Sequence, residues 1–515
     1  MKTLLFTILS IFLTVSCGKN PQPQPEYVSL SADKTTIEFT ADGGEQVVMV
    51  SASEKLYVVA SEAWLKAKQG AKTADQKIEV TFTAAANDKA EERSSRVSLV
   101  AGDEKIYVDV TQAAGEKKGE SGGEEPIVPL PPEGPGTDFY APWDMLNKFG
   151  LGWNLGNHMD AHNNGVSGET AWGNSKATQA TFDKIKAAGF QTVRIPVTWL
   201  GHIGEAPEYK VEEAWLNRVA ELVGYAEKAG LNAIINMHHD GADSKYWLNI
   251  KAAAGNAETH AQILAQIEAM WTQIAEKFKD KGDFLAFEAF NEIHDGGWGW
   301  GDNQKDGGKQ YKCLNEWNQK FVDAVRATGG NNVTRILGIP AYCTNVDIAV
   351  ENFVMPQDAV EGRLMISVHS YDPYDYALAA KKSEWGHTAD SAKKVAGDNE
   401  KEIRTIFQKI YKNFIEKGIP VYMGEFGCVN RATEREQAFQ QYYLKYFTKA
   451  AKTYGVPCFI WDNGAKGAGE ECHAFFDHAT GEYCSAGAEA AIRAMTTAYR
   501  SDYSLDDIYK QAPIF

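Results

Sequence analysis

The stretch FLAFEAFNEIHDG, Phe284 to Gly296, sets two carboxylates into an apolar run. A short run of Phe, Leu and Ala bounded by turn residues reads as a strand buried on both faces, over Phe284–Ile293. The two-residue period of a strand puts Glu288 and Glu292 on one side, the first deep and the second near the strand's end. A buried carboxylate is costly unless it is paired or hydrogen-bonded. Such a strand therefore holds either an internal ion pair or a functional site, where perturbed carboxylates gather.

A second stretch repeats the design. PVYMGEFG, Pro420 to Gly427, is apolar, carries Glu425 near its end and is flanked by glycine. Two Glu residues, each ending a buried strand, are the minimum apparatus of glycoside hydrolysis. One protonates the leaving oxygen while the other attacks the sugar or activates water.

From Phe139 onward the chain alternates strand and helix. Expected strands are Gly150–Asn157, Thr192–Val197, Asn232–His239, Phe284–Ile293, Arg335–Ala341, Leu364–Tyr371, Pro420–Gly427 and Pro457–Gly464. Glu212–Ala229, Ala257–Lys279, Lys312–Ala327, Lys401–Lys417 and Arg435–Tyr454 carry apolar residues at spacings of three and four, and a final helix is expected over Gly487–Tyr499. Eight alternations over 139–515 predict an α/β fold, a (β/α)8 TIM barrel. A doubly wound open sheet is the alternative, but no GxGxxG or P-loop follows any strand.

The N-terminal part differs. Met1–Cys17 pairs Lys2 with the apolar run Leu4–Val15, the pattern of a signal peptide and too short to span a membrane. Ser16 before Cys17 resembles a bacterial lipobox, with Thr14 where Leu is usual. The resemblance implies a lipidated Cys17 on an exported lipoprotein of the outer membrane, facing the cell surface and membrane-bound by its lipid anchor only. Residues 18–26 read as a tether and 27–114 as short alternating strands between turn residues, a smaller all-β sandwich. Residues 115–138 are a Pro/Gly-rich linker. The sandwich resembles the BACON module of exported Bacteroidetes proteins through Glu62-Ala63-Trp64-Leu65, Asn87, Arg93, Arg96 and Val110-Thr111-Gln112-Ala113. It offers no row of aromatics on one face, which favours a spacer over a glycan binder. A net charge of −17 argues against nucleic acid as a partner. The chain is expected to be a monomer.

In a (β/α)8 barrel the active site lies at the C-terminal strand ends. Here those ends carry Asn154 and Asn157, Arg194, His238-His239, Asn291-Glu292, His369 and Tyr371, Glu425, and Trp461. The motifs around them are GWNLGN (152–157), ETAWGN (169–174), VRIPVTW (193–199), INMHHDG (235–241), AFNEI (289–293), HSYDP (369–373), GEFG (424–427) and WDNG (461–464). In this order they resemble glycoside hydrolase family 5, subfamily 4, across the whole barrel. His158-Met159 departs from the pattern, where Thr-Leu is usual.

The resemblance implies a retaining mechanism with Glu292 as general acid/base and Glu425 as nucleophile. Retention needs the two carboxyls about 5–5.5 Å apart. Arg194 is the cation expected to keep Glu425 charged, with Tyr371 donating to the same carboxylate. Asn291 is placed for a sugar 2-hydroxyl, His238 and His369 would orient carboxylates or hydroxyls, and Trp461 would floor the sugar subsite. Asn157 and His239 complete the supporting set. No cofactor and no metal are expected. Adjacent His238 and His239 should face opposite sides of a strand, which argues against joint chelation with Asp240.

The implied partner is a plant β-glucan cut at internal bonds of a β-1,4 backbone, xyloglucan preferred. A mixed-linkage β-glucanase, cellulase or mannanase is the alternative, and a non-catalytic glycan-binding barrel the alternative of another class. Loops after the fourth and eighth strands supply Trp298, Trp300, Tyr311, Phe475 and Phe476 to line a cleft, and glycines at 296, 297, 299, 301, 307 and 308 give the first loop room. Six cysteines follow Cys17, of which Cys472 and Cys484 are the expected disulfide pair.

Overall fold

The computed structural model describes residues 30–115, apart from 54, 60–63, 74, 88–90 and 102–103, and residues 142–515. The expected signal peptide, Cys17, the tether and nearly all of the linker lie outside the described residues. The chain divides into two compact units at Gly119/Glu120.

The N-terminal unit is a sandwich of two four-stranded sheets. One runs in the order Leu30–Ala32, Gly44–Ala52, Ile78–Ala84, Leu65–Lys72, and the other Thr36–Phe39, Glu104–Gln112, Arg93–Ala101, Tyr57–Val59. Alternation drives it: along Ile78–Ala84 the first, third, fifth and seventh residues are buried. Val48, Val50, Val80, Phe82, Val97, Leu99, Val108 and Val110 form its fully buried centre. Trp64 is covered on one face by the Arg93 guanidinium, 4.5 Å above the ring.

The C-terminal unit is a closed barrel of eight parallel strands. They are β1 (Leu151–Leu155), β2 (Thr192–Ile195), β3 (Asn232–Ile235), β4 (Leu285–Glu288), β5 (Leu337–Pro340), β6 (Leu364–Ser370), β7 (Val421–Phe426) and β8 (Cys458–Asp462). Each pairs with the next, and β8 closes on β1 with Trp461 opposite Asn154. Helices α1 (Gln179–Ala188), α2 (Glu213–Ala229), α3 (Ala257–Phe278), α4 (Lys309–Ala327), α5 (Val346–Asn352), α6 (Asn399–Asn413), α7 (Glu434–Thr453) and α8 (Ala486–Arg500) follow the strands in turn. The longest, α3, buries Ile263, Ile267, Met270, Trp271 and Ile274 on one stripe. Each buried isoleucine there contributes about 1.5–3 kcal/mol. Asn256 caps this helix by accepting from the Glu258 and Thr259 amides, both at 2.9 Å.

Inside the barrel the two ends differ. Met145 and Phe149, from a helix over Pro142–Phe149, pack with Ile234, Ala286, Ile336, Met365, Tyr422 and Phe459 into an apolar plug. Beyond the plug, toward the C-terminal strand ends, the interior is polar.

All eight expected strands exist, but each stops earlier than the sequence suggests. β3 ends at Ile235 and β4 at Glu288, so His238, His239, Asn291 and Glu292 stand on the loops that follow. The chain past β4 remains anchored, with the Ala289 amide donating to Gly338 O at 2.9 Å and the Asn291 amide to Met237 O at 2.8 Å. The expected Cys472–Cys484 disulfide is not formed, and both thiols are free. An antiparallel bridge between Phe476 and Tyr483, with the Cys484 amide on Phe475 O at 2.9 Å, sets Cys484 against Phe475 and leaves Cys472 three residues farther along.

Candidate active site

Arg194, the third residue of β2, is fully buried at the centre of the polar interior. Its Nε lies 2.8 Å from Glu288 Oε2, Nη1 is 3.0 Å from Asn154 Oδ1 and 2.8 Å from Glu425 Oε1, and Nη2 is 2.8 Å from Asn291 Oδ1. A planar guanidinium suits this role because its donors are fixed in a fork. Burial works against its charge, but Glu288 and Glu425 outweigh it and hold Arg194 well above its ordinary range.

Glu288 is the carboxylate that the sequence places deepest, and it is an internal ion pair. Besides Arg194 it accepts from Asn236 Nδ2 at 2.8 Å, Ser367 Oγ at 2.6 Å and Tyr422 OH at 2.7 Å. Burial pushes its carboxyl up, while Arg194 and these donors bring it below the ordinary value. Asn236, Ser367 and Tyr422 carry no mark in the sequence that sets them apart as partners of Glu288. The register shift in β7 between Met423 and Phe426 puts Tyr422 and Glu425 on the same side although they are three apart.

Toward solvent, Glu292, His369 and Glu425 come together, each with a ligand-type atom within 4.8 Å of the others. His369 Nδ1 is 2.8 Å from Glu292 Oε1, and Thr344 Oγ1 donates to the same oxygen at 3.4 Å. Tyr371 OH donates to Glu425 Oε2 at 2.9 Å, opposite the Arg194 bond to Oε1. Side-chain exposure is 20% for Glu292 and 7% for Glu425, so Glu292 faces the opening. Burial pushes the Glu292 carboxyl up, but the His369 hydrogen bond and the neighbouring positive charge outweigh it and set the carboxyl below its ordinary value. Gly424 makes room for this cluster, because a Cβ there would stand 2.9 Å from His369 Nε2.

His238 sits on the other flank of Glu425, with Nε2 3.9 Å from Oε1. Asn236 Oδ1 accepts from the Val197 amide, so its Nδ2 donates to His238 Nδ1 at 3.1 Å, and the imidazole proton resides on Nε2. Burial holds His238 well below its ordinary value, in the neutral form. Trp461 lies parallel to the His238 ring, with centroids 6.0 Å apart.

Asn157 and His239 take other places. Asn157 occupies the turn past β1 with φ 52°, its amide on Asp160 Oδ2 at 3.0 Å and its carbonyl receiving Asn174 Nδ2 at 2.9 Å. His239 touches the His238 ring edge-on at 4.5 Å and joins His162 and Trp172 in an aromatic group beside the cluster. The expectation that His238 and His239 diverge fails because β3 has already ended. With Asp160, not Asp240, they form a group of possible ligands within 4.8 Å. Two of its members are already engaged: Asp160 accepts from the Asn157 and His158 amides, and His238 Nδ1 from Asn236. Asp240 turns away to the Trp199 amide and Trp247 Nε1, at 3.0 and 2.8 Å, and burial pushes its carboxyl up to about 6.

Two family models match the chain. The model described as "Cellulase (glycosyl hydrolase family 5)" matches residues 157–467, and the BACON model, "Putative binding domain, N-terminal", matches 57–113. A GH5-4 broad specificity endoglucanase from Bacteroides salanitronis is 56% identical, with a TM-score of 0.69, covering 74% of this chain and 100% of its own. A xyloglucan-specific endo-β-1,4-glucanase from Bacteroides ovatus is 30% identical over 518 residues, 96% of each chain. Endoglucanase A from Paenibacillus barcinonensis is 39% identical over 337 residues, 62% of this chain and 82% of its own.

Proposed function

Because the chain belongs to glycoside hydrolase family 5 and is an endoglucanase, we propose that it cuts β-1,4-glucan with retention, using Glu425 as nucleophile and Glu292 as acid/base. The observation that carries this reading is the closeness of the two carboxylates around His369, with one also clamped by Arg194 and Tyr371. A separation of up to 4.8 Å between carboxylate oxygens leaves no room for a water between nucleophile and sugar, which inversion needs.

In the first step Glu425 Oε attacks the anomeric carbon, the glycosidic C–O bond breaks, and Glu292 gives its proton to the departing oxygen. In the second, Glu292 takes a proton from water, whose oxygen displaces Glu425 from the same carbon. Arg194 and Tyr371 hold Glu425 in line and disperse its charge. Asn291 Oδ1 is committed to Arg194, which leaves Nδ2 as the donor for a sugar 2-hydroxyl. Glu292 must be protonated for the first step, although in the open site its carboxyl lies low. A sugar filling the cleft excludes water and adds to the effect of burial, raising Glu292 as the complex forms.

For the substrate, we infer that xyloglucan is among the preferred glucans. The Bacteroides ovatus xyloglucanase aligns along nearly the full length of both units. The more similar Bacteroides salanitronis endoglucanase favours a second reading, in which several β-glucan backbones are cut about equally. kcat/KM on xyloglucan, mixed-linkage β-glucan, soluble cellulose and glucomannan, measured side by side, separates the two. Xyloglucan cleaved tenfold less efficiently than another polymer, about 1.4 kcal/mol of transition-state binding, overturns the preference. Anomer-resolved proton NMR of early product tests the mechanism: β-product is expected, and an initial α-product overturns retention.

The anchoring reading rests on the leader sequence. No described helix is long and apolar enough to cross a membrane. Cell fractionation of Cys17→Ala against wild type tests it, and equal solubility of the two overturns it.

A further inference from the structure

Directly after Glu292 the chain makes a loop that exposes two tryptophans, Trp298 at 56% and Trp300 at 79%. Large exposed aromatics in a glycine-rich segment could belong to a slack loop, but this loop is braced. Asp295 accepts from the Gly297 amide at 2.9 Å, the Asn303 amide at 3.0 Å and Gln310 Nε2 at 3.2 Å. The chain wraps so tightly around that carboxylate that a Cβ on Gly301 would stand 2.2 Å from Asp295 Oδ1. Asn303, almost fully buried, closes the loop from within by donating to Gly299 O at 2.8 Å and accepting from the Gly301 amide at 2.9 Å.

Trp298 is held in a left-handed backbone conformation, φ 50°, which a bulky residue rarely adopts without a reason. One face of its indole rests on the buried His294 ring, with centroids 4.3 Å apart and planes at 32°. His294 is two residues beyond Glu292. A stiff, half-covered indole therefore stands on the segment that carries the acid/base.

We propose that Trp298, with Trp300 beyond it, is a stacking platform for the leaving-group side of the glucan, and that Asp295 positions it. The proposal rests on the roles given above to Glu292 and Glu425. A general acid sits beside the oxygen it protonates, and that oxygen stays with the leaving sugar. The surface continuing from Glu292 along its own loop is thus the aglycone side of the cleft. An indole face is matched by the apolar C–H face of a β-glucosyl unit, and shielding it from water supplies a driving force that a polar loop lacks.

The test compares two substrates that differ on that side alone. Cellohexaose cut at inner bonds places glucosyl units on the aglycone side, whereas β-cellotriosyl fluoride places only fluoride there. The expected result for Trp298→Ala is a fall of tenfold or more in the ratio of kcat/KM on cellohexaose to that on the fluoride. Trp298→Phe should recover part of that ratio. Asp295→Asn, a positioning change, should lower the same ratio and move kcat less than KM. A ratio unchanged in Trp298→Ala overturns the platform, whether both rates hold or both fall together. The reading beneath it is judged by the unaltered protein, because failure to cut either substrate overturns the glucanase assignment and the platform with it.

Discussion

Arg194 Nη1 donates to Glu425 Oε1 at 2.8 Å while the same guanidinium holds Glu288 from below. One cation thus ties a permanently buried ion pair to the carboxylate at the floor of the cleft. Lysine keeps the charge but not the fork, and cannot reach Glu288, Asn154, Glu425 and Asn291 together. Arg194→Lys should therefore lower kcat by about 10²–10³, the loss typical when a preorganised electrostatic donor is removed. Steady-state kinetics on soluble β-glucan, with circular dichroism to confirm folding, checks it; a kcat within threefold of wild type contradicts the clamp.

The two proposed carboxylate roles predict opposite rescue products. Glu425→Ala should show no turnover, and azide should restore some by entering from the vacated face to give an α-glycosyl azide. Glu292→Ala should still form the glycosyl-enzyme from substrates with good leaving groups, and azide should then yield the β-glycosyl azide. Product analysis by NMR decides between them. The same anomer from both variants would contradict the division of roles.

Much of the barrel is legible because its strands are apolar runs between turns, and eight of them in alternation with helices admit few other folds. Strand ends are less legible, since INMHHDG and AFNEI read as continuing strand, yet the first turns into a 3-10 helix from His239 and the second bends at Asn291. Alternation arguments fail there, which is why His238 and His239 touch instead of diverging. The Arg194–Glu288 pair joins residues 94 apart and exists only once the barrel closes. Tyr422 is hidden by the irregularity in β7: an unbroken two-residue period puts it on the face opposite Glu425, and the register shift brings the two to the same side. Cys472 and Cys484 are near in sequence, but a hairpin register, invisible in composition, keeps them apart.

The pH dependence follows from the His369 bond to Glu292. Burial raises the Glu292 carboxyl, and the His369 hydrogen bond is the largest of the causes that lower it. Removing that bond must therefore raise it. In the proposed mechanism Glu292 has to be protonated for the first step, so the basic limb of kcat/KM, which reports the free enzyme, follows its titration. In His369→Gln this limb should move to higher pH, and in the wild type the kcat limb should lie above the kcat/KM limb. A downward shift in the variant would mean that His369 does not act by stabilising the Glu292 anion.

Glu288 makes a separate prediction about stability. It is fully buried, with its carboxyl held below the ordinary value through Arg194, Ser367 and Tyr422. Because its folded pKa is depressed, its contribution is present above the unfolded value of about 4.3 and is lost as pH falls through the folded one. Glu288→Gln keeps the shape but turns an amide toward donors and leaves Arg194 without one of its two carboxylate partners. Removing one partner of a buried pair costs about 3–5 kcal/mol, so the barrel of the variant should unfold at distinctly lower denaturant near pH 7. On acidification the wild type should lose stability toward the variant, and the gap between them should narrow below about pH 4. Urea unfolding of the isolated C-terminal unit, followed by tryptophan fluorescence at a series of pH values, measures that gap. A difference that is constant from neutral to acid pH would show that Glu288 stabilises the barrel by packing and not by its charge.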